Sequence, residues 1–449
     1  MKVRLITLGC PKNLVDSEFI SGGLAKNGVE FTSKTEEAEA IIINTCGFIE
    51  SAKEESIETI LDAVALKKDG NCKQVLVTGC LSERYGAELK KEIPEIDGLF
   101  GNRDMEKILR DMAQQLHLRT ELLGERHLLT PRHYAYLKIS EGCEHPCTFC
   151  AIPQIRGGFR SKNIPDLVRE TEHLARQNVK ELVLIAQDST IYGLDNYGEK
   201  KLPELLNALN DIDGIEWIRL MYAYPYHLTD EMLASIAELD KVCKYIDMPV
   251  QHTSDRVLKR MARRVSGQFQ HDLIQKMRSR ISGLTLRTSL IVGFPGETES
   301  DFQQLYDYVA EGHFDRLGVF TYSHEEGTPA ARFEDDVPAE IKRERQDLLY
   351  QMQADVAEQK NTNFHNQHLR VLIDEFDEQN QVHVGRTAAD APEIDNVVLI
   401  PDACKVGSFY QVRITETSSF ELSGNILSND DKGSRSPNGT IRLPIAQKS

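Results

Sequence analysis

No apolar run in this 449-residue chain approaches the roughly 18 residues that a membrane-spanning helix needs, which excludes a helical integral membrane protein. The opening MKVRLITLGC lacks the apolar core and cleavage site of a secretory signal, so a cytoplasmic location with no membrane partner is expected. Positive charge is in deficit. Lys and Arg number 53 against 70 Asp and Glu, and a formal net charge of -17 opposes sequence-independent binding to a phosphate backbone, though local basic patches remain open. No internal repeat with a period of roughly 20 to 50 residues is visible, which argues against a solenoid. A disulfide framework fits poorly, because the nine cysteines are odd in number and a large cytoplasmic chain lives under reducing conditions. Metal binding or catalysis explains them better. What is present, 40% hydrophobic and 27% charged residues, is globular, and the length suggests about three domains.

From Lys2 to about Gln115, short apolar runs (VRLITLG, AIIINT, QVLVTG, GLFG) alternate with helical stretches, the pattern of a doubly wound parallel α/β sheet over residues 1–117. The stretch HLRTELLGERHLLTPRH has no clear period and marks a boundary near 117–133. A second series then begins, with strand candidates AYLKIS, ELVLIAQ, WIRLMYA, KYIDMPVQ, LTLRTSLIVGF and RLGVFTYS, most of them separated by amphipathic helices. These predict a partial (β/α)6 barrel over 130–338. A polar helix with Ile341, Leu348, Leu349, Met352 and Val356 on one face is expected as a packed linker, 339–367. Short β segments over 368–434 predict a small antiparallel barrel or sandwich, and the polar, Gly-rich tail from Ser428, including 435–449, is expected to be partly disordered.

The tightest constellation is SEGCEHPCTFCAIPQIRG, where Cys143, Cys147 and Cys150 form C-x3-C-x2-C directly after an apolar strand. Structural zinc normally takes four ligands, whereas three cysteines on a [4Fe-4S] cluster leave one iron open to substrate or cofactor. Zinc closed by His145, or a chance cluster of buried thiols, are the alternatives. A dispersed set is Cys10 in TLGCPKN, Cys46 in NTCGF and Cys80 in TGCLSE, each directly after an apolar strand and separated by 36 and 34 residues. Strands of an open parallel sheet share one carboxyl edge, so these three can converge on a second cluster. Each can equally be a small buried hydrophobe. Cys72, Cys243 and Cys404 fit that second reading better, since none has a comparable setting.

The C-x3-C-x2-C loop after the first barrel strand resembles the signature of the radical S-adenosylmethionine superfamily. The resemblance implies a cluster whose open iron chelates the methionine moiety of S-adenosylmethionine and cleaves it to a 5′-deoxyadenosyl radical. The ordered set LGCPKN, NTCGF, TGC, SEGCEHPCTFCAIPQIRG, PVQHTSDRVLKRM and GFPGET covers nearly the whole chain and resembles the methylthiotransferases. That family implies two [4Fe-4S] clusters, the auxiliary one on Cys10, Cys46 and Cys80, with S-adenosylmethionine giving methyl in one role and the radical in the other. It also implies an electron donor such as a flavodoxin-type reductant.

Polar groups at predicted barrel strand ends, Gln187 and Asp188, Gln251 and His252, and GFPGET with Gly293 and Glu297, occupy the face where β/α barrels place their chemistry. Gln187, Gln251, Gly293 and Glu297 are therefore candidate cofactor neighbours, although each alone also reads as a loop cap. Arg156 and Arg160 could steer an anion or serve as surface cations, and Tyr222, Tyr224 and Tyr226 read as packing. The words LGCPKN and PRHYAYLKISEGCEHPCTFCAIPQIRG resemble the branch acting on an aspartate β-carbon of ribosomal protein S twelve, met free or in the small subunit. The other branch acts on an adenosine of transfer RNA. The C-terminal module resembles a TRAM domain, which in the transfer-RNA enzymes is expected to bind phosphates. Here, between Leu369 and Asp430, four basic residues (Arg370, Arg386, Lys405, Arg413) face eleven acidic ones, including Asp374, Glu375, Asp377 and Glu378. That sign suits a basic ribosomal protein, so transfer RNA is not expected as a partner.

Overall fold

Residues 1–119 and 126–427 are described by a computed structural model. The first unit is a parallel sheet of β1 (Lys2–Thr7), β2 (Glu30–Phe31), β3 (Ala40–Thr45), β4 (Gln74–Gly79) and β5 (Gly98–Leu99), ordered β2-β1-β3-β4-β5. β3 is buried at every position, as a strand covered on both faces must be, and so reads as a continuous apolar run. The strand order reverses between β1 and β3, which makes their carboxyl ends the switch point where such sheets bind ligands. β2, two residues long with neither position buried, has no apolar run to mark it in the sequence.

The second unit contains β6 (Tyr134–Lys138), a short antiparallel pair β7 (Ser140–Glu141) and β8 (Arg160–Ser161), then β9 (Glu181–Ile185), β10 (Trp217–Leu220), β11 (Val242–Asp247), β12 (Thr285–Val292) and β13 (Arg316–Thr321). All six expected strands are present, parallel and in the order β6-β9-β10-β11-β12-β13, as an open sheet. Alternate residues divide its two faces. Leu137, Leu184, Leu220, Ile246 and Leu286 pack outward on the helices, whereas Tyr136, Val183, Trp217, Met221 and Tyr245 point inward. The inner cluster is completed by Val15 of the helix Pro11–Ala25 and by Leu372 and Ala391 of the C-terminal module.

The linker helix spans Ala339–Asn361, and its buried face is only partly the expected one. Lys342, Arg345, Leu349, Gln353 and Val356 face inward, whereas Leu348 is exposed and Ile341 and Met352 are half-buried. The cause is ion pairing. Arg345 reaches Glu297 at 2.7 Å and Lys342 reaches Asp335 at 2.7 Å, so the two cations are drawn under the helix. Beyond it, β14 (His368–Asp377), β15 (Val382–Arg386), β16 (Val397–Ile400), β17 (Phe409–Thr417) and β18 (Glu421–Ile426) close a barrel ordered β14-β15-β16-β18-β17.

The acidic character of this module is only partly a surface property. Asp374 pairs with Arg386 and His133, Asp390 with Arg316, and Asp395 with Arg287, so three of the module's eleven acids hold it to the neighbouring sheet rather than face a partner. The tail from Ser428, with the end of the expected 368–434 module, and part of the 117–133 boundary lie outside the described residues. Among the described residues no helix is long and apolar enough to cross a membrane.

Candidate functional site

Cys10 caps the helix Pro11–Ala25 after β1, Cys46 follows β3, and Cys80 opens the helix Cys80–Glu92 directly after β4. Two glycines allow these three strand ends to meet. A Cβ at Gly9, whose φ is +87°, would lie 2.8 Å from Cys46 Sγ, and one at Gly47 would lie 2.7 Å from Leu81 Cα. Asn13 stitches the edge by donating to the carbonyls of Leu8 at 2.8 Å and Thr45 at 3.0 Å, with its Oδ1 3.6 Å from Cys80 Sγ. Asn102 Nδ2 donates to the same sulfur at 3.3 Å. Burial pushes the Cys80 thiol up to about 12 and also raises Cys46. Three buried or half-buried thiols at one sheet edge are a donor set that fits a thiophilic metal group, which binds the deprotonated form.

The second triad lies on the loop after β7. The Cys143 N–H donates to the Gly157 carbonyl at 3.1 Å and the Thr148 N–H to Met261 at 3.0 Å, while Phe149 packs with Phe294. Burial again raises the thiols, Cys143 to about 11 and Cys150 to about 12. Arg263 Nη1 lies 3.5 Å from Cys147 Sγ, and its guanidinium covers the Tyr224 ring at 4.1 Å. His145 is turned elsewhere. Its Nε2 lies 2.7 Å from Asp188 Oδ2, and its ring stacks on Tyr224 at 4.2 Å, so a fourth zinc ligand is not what this histidine supplies. Beside the loop, Gln187 Oε1, Ser140 Oγ and Tyr224 Oη are buried without a hydrogen-bond partner among the described residues, which fits a polar ligand seated there.

A buried polar chain runs from the first triad to the barrel face, where Glu141 stands two residues before Cys143. Arg156, 1% exposed, donates to Asp16 at 3.1 Å and to Glu141 at 3.0 Å, and its Nη2 lies 3.6 Å from Cys80 Sγ. Gln187 Nε2 donates to Glu141 at 3.0 Å, completing a path from Cys80 to the barrel face. Burial works to raise the Glu141 carboxyl, but Lys138 and Arg156 outweigh it and hold it well below the usual carboxylate range. Each triad thus has one guanidinium beside it, and neither Arg156 nor Arg263 was singled out from sequence as a sulfur neighbour.

The other expected positions divide. Gln251, at φ +72°, is pinned to β12 by hydrogen bonds of 3.0 Å to Ser289 and 2.8 Å from Ile291. Glu297 accepts from the Gly293 and Phe294 N–H groups at 2.8 and 3.3 Å and from Arg345, so its oxygens shape the GFPGE turn. A Cβ at Gly293 would meet Lys342 Cγ at 2.2 Å; this glycine admits the linker helix. Cys72 and Cys243 are buried in apolar clusters and Cys404 packs against another, as simple hydrophobes do. Arg160 is exposed. Tyr222 and Tyr224, read as packing, stand in the site: Lys12 Nζ lies 3.6 Å over the Tyr222 ring. The signal for Lys12 and Asn13 was their adjacency to Cys10 in GCPKN.

Three family models match in sequence: an uncharacterized protein family, UPF0004, over residues 2–101; the radical SAM superfamily over 137–309; and a TRAM domain over 367–427. Proteins named ribosomal protein uS12 methylthiotransferase RimO match at near full length. The one from Acetivibrio thermocellus is 45% identical, with 96% of this chain and 99% of that protein covered. The one from Clostridioides difficile is 46% identical, covering 95% and 99%, and that from Bacteroides thetaiotaomicron is 45% identical, covering 95% and 98%. Among solved structures, the radical S-adenosylmethionine methyltransferase TsrM from Kitasatospora setae, with cobalamin and a [4Fe-4S] cluster bound, aligns at TM-score 0.51 and 15% identity over 71% of this chain and 74% of its own. The cobalamin-dependent radical enzyme OxsB aligns at TM-score 0.51 and 13% identity over 78% and 56%. At those identities the structural matches establish the fold alone.

Proposed function

Because the chain belongs to the family of ribosomal protein uS12 methylthiotransferases, we propose that it replaces a β-hydrogen of an aspartate in that protein, free or in the small subunit, with a methylthio group. The observation that carries this reading is the pair of three-cysteine sites, with the Arg156, Glu141 and Gln187 chain leading from Cys80 to the barrel face. Residues 130–338 would hold one [4Fe-4S] cluster on Cys143, Cys147 and Cys150, and residues 1–117 a second on Cys10, Cys46 and Cys80. Bound there, the clusters and S-adenosylmethionine supply a hydrogen-abstracting radical and a methylated sulfur to transfer.

The chain's own residues hold and shield that chemistry. Gln187 and Gln251 offer polar contacts to the cofactor at strand ends, while Gly293 and Glu297 shape the turn that packs Phe294 on the cluster loop. Arg156 and Arg263 offset thiolate charge without occupying a cysteine. The helix Pro11–Ala25 and the C-terminal module cover the inner face of the sheet and keep water from it. The protein would work in the cytoplasm with a flavodoxin-type electron donor, and transfer RNA would not be a substrate, consistent with the net charge of -17.

The test is mass spectrometry of uS12 and of transfer RNA after incubation with anaerobically reconstituted protein, reductant, S-adenosylmethionine and sulfide. A methylthio-for-hydrogen gain on one aspartate peptide is expected. The same gain confined to an adenosine would overturn the substrate assignment, and no gain on either with both clusters intact would overturn the reaction.

A further inference from the structure

Among the described residues three lysines are buried, and two of them have carboxylate partners: Lys138 with Asp16 and Glu141, Lys342 with Asp335. Lys12 is the exception. It is 8% exposed, and among the described residues its ammonium has neither a hydrogen bond nor an ion pair; it lies over the face of Tyr222 at 3.6 Å, with the Cys10 sulfur its foremost charge neighbour. The nearby acids are already engaged. Glu141 is shared by Lys138, Arg156 and Gln187, and Asp247 accepts from Arg287 at 3.1 Å and from the Tyr222 N–H at 3.2 Å.

A largely buried ammonium with no hydrogen-bond partner among the described residues is held less favourably than one that is paired, so a partner that reaches it is bound. Lys12 stands two residues after Cys10 and over Tyr222, just beyond the end of β10, between the N-terminal triad and the barrel face. Tyr222 is itself held there, at φ +61° with its N–H on Asp247, so the platform beneath the ammonium is built rather than incidental. The open position suits an anion brought by the substrate.

We propose that Lys12 binds the side-chain carboxylate of the target aspartate, an inference that rests on the aspartate reading above. The γ-carboxylate is bonded directly to the β-carbon, so holding it fixes the carbon whose hydrogen is replaced. An asparagine in the same place leaves the ammonium buried without a counter-charge, which turns Lys12 into a discriminator as well as an anchor.

The test uses the full chain and two fluorescent peptides spanning the modified site of uS12, one with the aspartate and one with asparagine there. Wild type should bind the aspartate peptide about 10- to 100-fold more tightly, the span expected of one charge-assisted hydrogen bond. Lys12→Met should lose that preference and Lys12→Arg should keep part of it, while iron content and the cluster spectra of both variants match wild type. Preference retained in Lys12→Met overturns the proposal, as does an altered auxiliary-cluster spectrum with preference retained, which would make Lys12 a counter-charge for that cluster. Wild-type methylthiolation of the aspartate peptide, run alongside, reports separately on the reading beneath it: if wild type does not modify that peptide, the reaction assignment fails whatever the variants do.

Discussion

Arg156 and Arg160 stand four residues apart and look alike in sequence, yet one is 1% exposed beside Cys80 and the other is exposed. Removing the Arg156 guanidinium leaves Asp16 with Lys138 alone and Glu141 short of a partner inside the protein. Arg156→Met should therefore cost about 3–5 kcal/mol, the range for breaking a buried pair, and lower the iron bound per chain. Urea unfolding and iron assay check this, with Arg156→Lys intermediate and Arg160→Met unchanged. His252 makes a second prediction. Its Nδ1 accepts from the Thr253 and Ser254 N–H groups, both at 2.9 Å, and burial lowers its pKa to about 3. The unfolded chain takes up a proton below about pH 6.5 that the folded chain refuses, so this stabilisation is complete above that pH and is lost as pH falls toward 3. The urea midpoint of wild type should drop between about pH 7.5 and about pH 5 by more than that of His252→Gln.

At the scale of an element, the loop between β15 and β16 is a plug. Asp390 takes Arg316 at 2.6 Å, Asp395 takes the Tyr245 hydroxyl at 2.6 Å, and the Ala388 carbonyl takes Arg219 at 2.8 Å, all groups at the start or inner face of the barrel strands. The small barrel and the six-stranded sheet are thus one hydrogen-bonded body; without the loop Arg316 loses its carboxylate partner, while Arg219 keeps Glu181 and Arg287 keeps Asp247. Asp390→Ala should destabilise the whole chain by about 3–5 kcal/mol, whereas Glu378→Ala, on the exposed part of the same acidic stretch, should leave the midpoint unchanged. Chemical denaturation of the two variants distinguishes a structural acid from a solvated one.

Across the whole molecule, the two cysteine triads belong to different units that the Arg156 chain ties together, so their functions should separate while their stabilities interact. Cys46→Ala should lose about half of the iron and retain reductive cleavage of S-adenosylmethionine at the other site, with no methylthio product; iron assay, nucleoside chromatography and peptide mass spectrometry read the three quantities. The six barrel strands, the strand-end cysteines and the small β module were legible in sequence because each is written locally, as an apolar run, a tight C-x3-C-x2-C spacing or a strand followed by a cysteine. Ion pairing overrode the linker helix's apolar periodicity, drawing Lys342 and Arg345 inward and leaving Leu348 in solvent. The inward turn of Asp374, Asp390 and Asp395 and the convergence of Arg156 and Arg263 on the cysteines join residues far apart in the chain. Local pattern determines which elements form and which ligand types they carry; which charges end up buried, and against what, is decided by desolvation and pairing, and those exist only once the three units have packed together.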